Sequence, residues 1–137
     1  MVGTDGSETA RKAVNDAVAL AAQNEAELHV VSAFRPLKSG GTSGTGAESW
    51  KIHPRSAVDN ILEEAVAVAR IKGVKAETHA ERKDPAEAVV SVAARVNADL
   101  VVVGNKGLKG AKAVLLGSIP NKIAHDAPCA VLIVKTT

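Results

Sequence analysis

An α/β fold, with a parallel sheet covered by helices on both faces, is what this sequence predicts. Three observations carry the prediction. Short valine-rich runs alternate with longer stretches whose apolar residues recur at helical spacing. The alternation runs strand, helix, strand through to a fifth strand, the pattern of right-handed strand–helix–strand units. The apolar run Leu100–Val103 stops abruptly at Gly104, and a glycine loop then leads into a new helix at Ser118. In such sheets, loops of this kind build ligand sites where the strand order reverses.

Composition narrows the class. A chain of 137 residues suits one domain, 1–137, with a full core of its own. Hydrophobic residues make up 46% and aromatics 1%, only Phe34 and Trp50, so the core is aliphatic and base-stacking platforms are missing. A net charge of +2 is too small by itself to suggest a polyanion partner, and no nucleic acid is expected. The one cysteine, Cys129, cannot form an internal disulfide, which suits a reducing cytosol. No charged-then-apolar leader opens the chain, and no apolar run is long enough to span a bilayer. A soluble cytoplasmic domain with no membrane partner is expected.

Taken in order, Val2 to Thr4 reads as the end of a first strand, short enough that a few native residues could precede it. Asp5 and Gly6 form a turn and Ser7 an N-cap. From Glu8 to about Gln23, Ala10, Val14, Ala17, Val18 and Ala21 share one helical face. Glu27 to Ala33, with Leu28, Val30 and Val31, is a second strand. Residues 35–54 are Gly/Ser/Thr-rich and predict a flexible surface loop, disorder being favoured over a lid. Ser56 to Lys72 is helical, with Val58, Ile61, Leu62, Ala65, Val68 and Ala69 inward and Gly73 as its stop. Val74 to Glu81 alternates in polarity, a strand with one exposed side near a sheet edge. Asp84-Pro85-Ala86-Glu87 starts a helix, Asp84 as N-cap and Pro85 in the first position. Ala88, Val89, Val92, Ala93 and Val96 form its core face. Leu100–Val103 is the fourth strand, about Ile119 to His125 the last helix, and Ala130 to Val134 the last strand.

The candidate site follows from this order. Gly104 and Gly107 lack Cβ, so the backbone there can take positive φ and let a ligand approach. Ser118 can cap free amides, and Pro120 fits a first turn. Strand, glycine loop and helix N-terminus together favour an anion, since unpaired N–H groups and the helix dipole point at one spot. The phosphate chain of a nucleotide is the expected anion. The glycine–lysine–serine/threonine loop of the common NTPases and the three-glycine dinucleotide fingerprint are both absent. A flavodoxin-like strand order and the order 3-2-1-4-5 would each bring Gly3 to Ser7 beside Gly104 to Gly107.

These residues carry a resemblance. Val2-Gly3-Thr4-Asp5-Gly6-Ser7, Leu28-His29-Val30-Val31, Ala98-Asp99 through Gly104, the pattern Gly104-x-x-Gly107-nine-Gly117-Ser118, and Ala127-Pro128-Cys129 through Val134 together resemble a universal stress protein of the UspA type. The resemblance spans nearly the whole chain. It implies a flavodoxin/Rossmann-like three-layer sandwich, a five-stranded parallel sheet of order 3-2-1-4-5, and the ATP-binding branch of the family. It also implies roles. Asp5 would accept the ribose hydroxyls, and Gly3 and Thr4 would line the base and ribose wall. Val30 would offer its backbone to the adenine edge, and Gly104 would sit against the ribose and α-phosphate. Gly107, Gly117, Ser118 and Ile119 would give amides to the phosphates, with Mg2+ accompanying them. The last strands of two copies would pair in a homodimer.

Other readings stay open beside this one. Asp5 could be a turn former alone. Lys106, Lys109 and Lys112 add charge near the phosphates, yet at least two read as solvated surface lysines. His29, His53, His79 and His125 show no close ligand spacing, so no metal site is expected. Cys129 reads as a buried, inert thiol. No nucleophile–base pair is visible, so no catalytic residue is assigned. The expected function is ATP binding in a stress-response regulator; cyclic AMP or AMP binding, or slow ATP hydrolysis, are the alternatives.

Overall fold

The computed structural model describes residues 1–35, 55–106 and 116–136. Among these, the elements run β1 (Val2–Gly3), α1 (Glu8–Gln23), β2 (Leu28–Ala33), α2 (Arg55–Ile71), β3 (Ala76–Glu81), α3 (Pro85–Arg95), β4 (Leu100–Gly104), α4 (Ser118–Asp126) and β5 (Ala130–Val134). All strand pairs are parallel and the order is β3-β2-β1-β4-β5, as the resemblance implied. Residues 36–54 of the predicted 35–54 loop, Gly107, Lys109 and Lys112 lie outside the described residues.

Although β1 is two residues long, its hydrogen bonds reach further. Met1 N donates to Leu100 O at 2.7 Å, Val102 N to Met1 O at 2.8 Å, and Thr4 N to Val31 O at 2.9 Å. Val2 stands opposite Val30 on one side and Val102 on the other. The short strand is therefore the centre of the sheet, and its residues need no edge protection.

Two aliphatic cores sandwich the sheet. On one face Val14, Ala17, Val18 and Ala21 of α1 and Val58, Leu62, Ala65 and Ala69 of α2 pack on Val2, Leu28, Val30 and Val102. On the other, Ala88, Val89, Val92 and Ala93 of α3 and Ile123 of α4 pack on Val31, Val101 and Val103. Odd and even strand residues thus serve different cores, and both faces are apolar, as a covered parallel sheet requires. Each fully buried valine contributes at least about 1.5 kcal/mol, and Val2, Val30, Val58, Val92 and Val101 are all completely enclosed.

The helix ends show which local signals were used. Ser7 caps α1, its Oγ accepting from Ala10 N at 3.1 Å. Gly73, at φ +70°, follows α2 and lets Val74 N reach Ala69 O at 2.9 Å. Asp84 precedes α3 as expected but makes no side-chain cap bond. Its carboxylate lies between Arg35, after β2, at 3.8 Å and Lys122 of α4 at 3.9 Å, so it faces cations in place of the helix amides. The predicted cap at Ser118 is also corrected. Gly117 takes the cap position with extended backbone, and Ser118 is the first helical residue, with no side-chain cap bond. Cys129 is half-buried against the α3/α4 core rather than enclosed.

At the edges, β3 carries Glu77, His79 and Glu81 toward the α3 side, and β5 exposes Leu132. Burial, reinforced by the charge of His29, holds the His79 imidazole below its ordinary pKa. Glu77 and Glu81 act in the opposite direction, and Arg95 adds to the lowering.

The tightest backbone requirement described lies in the β1–α1 turn. Gly6 has φ +79°, and a Cβ there would fall 2.7 Å from Ile61 Cγ1 of α2. Gly6→Ala is expected to destabilise the fold by about 1–2 kcal/mol from the left-handed backbone alone, with the Ile61 clash adding to that. A urea denaturation series against wild type measures it.

Candidate functional site

The C-terminal rim of the sheet gathers the predicted residues from β1, β2, β4 and α4. The β1–α1 connection turns there under local control. Asp5 Oδ1 accepts from Ser7 N at 2.9 Å, and Thr4 Oγ1 accepts from Gly6 N at 3.2 Å. Asp5 is therefore a turn former. A carboxylate accepts about four hydrogen bonds, so this bond does not exhaust the side chain. Thr4 is tied to the rim through its own N–H on Val31 O.

Gly104 does not take the positive φ expected of it; among the described glycines only Gly6 and Gly73 do. A Cβ on Gly3 would fall 2.8 Å from Val89 Cγ2, so its absence lets α3 close on the sheet. A Cβ on Gly104 would meet Thr136 Cγ2 at 3.2 Å and the Thr9 carbonyl oxygen at 3.7 Å. The end of β4 thus abuts the first turn of α1. Segments about a hundred residues apart meet because β1 pairs with β4.

Beyond Gly104 the chain is pinned by Asn105. Its N–H donates to Val134 O at 2.9 Å, and its carbonyl accepts from Gly117 N at 2.9 Å. Its side-chain Oδ1 accepts from both Thr136 N at 2.9 Å and Thr136 Oγ1 at 2.8 Å. Lys12 Nζ reaches Thr136 O at 3.1 Å from α1. Asn105 thereby joins both ends of the glycine loop to the tail. Sequence reading passed over Asn105 and Thr136; the one available signal was an amide side chain directly after the strand-ending glycine.

This bond also changes what Gly117 can give. Its amide is engaged by Asn105 O, so it is not an open donor here. Asn121 N takes Gly117 O at 3.0 Å as the first intrahelical bond of α4. The N–H groups of Ser118 and Ile119 precede that bond and have no intrahelical acceptor, and Pro120 has no N–H. Ser118 is exposed and Ile119 half-buried. At the start of α4 the amides of Ser118 and Ile119 are thus without an intrahelical partner, beside the hydroxyl of the exposed Ser118. Val30 is fully buried, in register with Val2 and Thr78. Its side chain belongs to the core, and its backbone lies in the ladder between β1 and β3. The next residue on that face, Ser32, is 2% exposed and its Oγ has no hydrogen-bond partner. A groove of about 320 Å³ between α3 and α4, lined by Lys83, Glu87, Lys122 and Asp126 among others, contains none of these residues.

The strand order β3-β2-β1-β4-β5 agrees with what the resemblance implied. The sequence profile of the universal stress protein family matches residues 1–135. The chain belongs to the universal stress protein family. Universal stress protein YxiE of Bacillus subtilis is 34% identical over 143 residues, covering 98% of this chain and 97% of that protein. Universal stress protein Rv1636 of Mycobacterium tuberculosis is 36% identical over 140 residues, covering 100% and 95%. Among solved structures, a universal stress protein in complex with cAMP is 34% identical with a TM-score of 0.76, covering 99% of this chain and 94% of that one. The universal stress protein of Archaeoglobus fulgidus in complex with dAMP shares the fold at 23% identity and TM-score 0.70, covering 98% and 94%. Among the described residues no helix is long and apolar enough to cross a membrane.

Asn105 is the rim residue whose loss has the clearest structural consequence. In Asn105→Ala two donors of the 2%-exposed Thr136 lose their acceptor. The expected cost is about 1–3 kcal/mol. Asn105→Asp, which keeps the acceptor oxygen, should recover most of it. Denaturation curves give the cost, and faster amide exchange at Thr136 in the alanine variant locates it.

Proposed function

We propose that this chain binds an adenine nucleotide across the ends of β1 and β4, with ATP as the ligand it is built for. The observation that carries the reading is the meeting of two chemistries on one rim. Gly104 abuts Thr9 in the first turn of the helix that follows the Asp5 carboxylate turn, and Asn105 beside it accepts from the Gly117 amide, next to the N-terminal amides of Ser118 and Ile119. A carboxylate suits a sugar diol, and helix-terminal amides suit phosphate oxygens. The cAMP complex of a relative 34% identical supports the adenylate part of the reading.

In this reading Asp5 takes the ribose hydroxyls, and Gly3 and Thr4 line the wall beside them. Val30 presents backbone to the adenine edge. Gly104 admits the ribose and α-phosphate. Ser118 gives its hydroxyl and amide, and Ile119 its amide, to the β- and γ-phosphates. Gly107 adds an amide. Gly117, whose amide serves Asn105, contributes by having no side chain. Mg2+ would arrive on the phosphates and offset their charge. The role is that of a cytoplasmic stress-response regulator that changes state with nucleotide occupancy, with hydrolysis at most slow and no nucleic-acid partner.

The cAMP complex also favours a second reading, in which cyclic AMP is the ligand. Ser118→Ala separates the two. Ser118 is exposed and makes no cap bond, so the variant should fold normally. If ATP is the ligand, calorimetric titration should show its affinity falling about three- to tenfold, the worth of one hydrogen bond. Cyclic AMP, which has no β- or γ-phosphate, should bind unchanged. Equal losses for both ligands would remove the β/γ role of Ser118, and no binding of either at millimolar concentration would remove the adenylate reading.

The same proposal includes a homodimer through the 130–134 strand. β5 ends the sheet with exposed Ala130 and a Leu132 that is 39% exposed, and an apolar edge invites a second strand. The opposite edge, β3, carries Glu77, His79 and Glu81, which discourage such pairing. Leu132→Lys should shift the chain toward monomer in sedimentation velocity at micromolar concentration. A wild type already monomeric there would count against the dimer.

A further inference from the structure

We propose that His29, Glu77 and His79 form a binding site for a divalent transition-metal ion, Zn2+ or one of similar chemistry, spanning β2 and the edge strand β3. Histidines fifty residues apart in sequence meet because these strands are paired in register, His29 opposite Glu77 and Val31 opposite His79. All three side chains leave the same sheet face, since Glu77 and His79 are two apart on one strand and His29 stands beside them on the next. One ligand atom from each lies within 4.8 Å of the others. His29 Nδ1 is 2.9 Å from His79 Nε2 and 3.8 Å from Glu77 Oε2. The two rings are tilted by 34°, with centroids 5.2 Å apart.

These distances are close to what an ion needs. Metal–ligand bonds of about 2.0–2.1 Å in tetrahedral geometry place neighbouring ligand atoms about 3.3 Å apart. The two nitrogens would part by roughly half an ångström and the carboxylate would close by a similar amount. Glu77 is free to do so, its side chain being 69% exposed, whereas His29 is held, at 17% exposed. The fourth position would be water.

Protonation is compatible with this exchange. In the close nitrogen pair one ring carries the bridging proton. Coordination needs that ring to move its proton to its other nitrogen, a tautomer change that leaves both imidazoles neutral. Glu77 supplies one negative charge. Arg95 on α3, whose charge acts on His79, is already paired with Glu81, so its repulsion of an ion is partly cancelled.

The donor set decides the metal class. Two imidazoles and a carboxylate suit Zn2+, Ni2+ or Cu2+, while Mg2+ and Ca2+ prefer oxygen alone. The cluster shares no residue with the proposed nucleotide rim. His29 and Glu77 lie toward the start of their strands, and His79 stands opposite Val31, where the rim begins. An ion here would clamp the edge strand to its neighbour and stabilise the folded chain by mass action.

The test is titration of Zn2+ into the full chain, free of any polyhistidine tag, by calorimetry, with Co2+ as a spectroscopic probe. One ion per chain is expected, with a tetrahedral cobalt spectrum and a rise in melting temperature on Zn2+ addition. Glu77→Gln and His79→Ala should each weaken binding by tenfold or more and abolish the melting shift. His125→Ala, which removes an exposed histidine paired with Asp126, should leave both unchanged. The exposed Glu77→Gln variant guards against misfolding as the cause. Unchanged affinity in both ligand variants, loss in His125→Ala instead, or no saturable site in the wild type would each overturn the proposal.

Discussion

The pairing of β1 with β4 is the constraint on which the rest of this molecule depends. A two-residue strand sits between β2 and β4, and its ladder is extended by bonds from Met1 and Thr4. On one side of it the sheet runs to β3, on the other to β5. The helix after β1 packs on one face and the helix after β4 on the other. A gap must therefore open between the two connections, because they leave the same rim in opposite directions. Valine at position 2 anchors this junction by joining the core from the middle of the sheet.

Around that gap, chain-to-chain contact is as demanding as any ligand. A Cβ on Gly104 would crowd the Thr136 methyl, and one on Gly3 would clash with Val89. Asn105 then gathers β4, β5, the start of α4 and the tail into one set of hydrogen bonds. The rim is pre-organised by these contacts, so a bound anion meets amides already held in place, which lowers the ordering cost of binding.

The two sheet edges differ in chemistry. β5 presents apolar residues to an open edge, and β3 presents a histidine and carboxylates next to His29 of β2. An apolar edge is suited to another strand, and a polar one with imidazole lone pairs is suited to an ion. In the proposed readings the same fold offers surfaces for a second copy, an adenine nucleotide and a metal ion, each set by which side chains the register places side by side.

Local signals in the sequence determined the elements. The apolar faces of α1 and α3, Ser7 as a cap, Gly73 as a stop and the strand at Leu100 follow from periodicity and backbone preference acting over a few residues. So did the family, because its glycine and Asp5 motifs are contiguous. The register was decided only by tertiary structure, and with it everything that needs two distant segments. That includes Thr9 and Thr136 beside Gly104 and the engagement of the Gly117 amide by Asn105. It also includes the transfer of Asp84 from capping to the company of Arg35 and Lys122, and the meeting of His29 with His79. Sequence spacing measures separation along the chain, whereas coordination, capping and ion pairing depend on distances of a few ångströms through space. In a parallel sheet those distances are set by strand pairing across crossovers of dozens of residues.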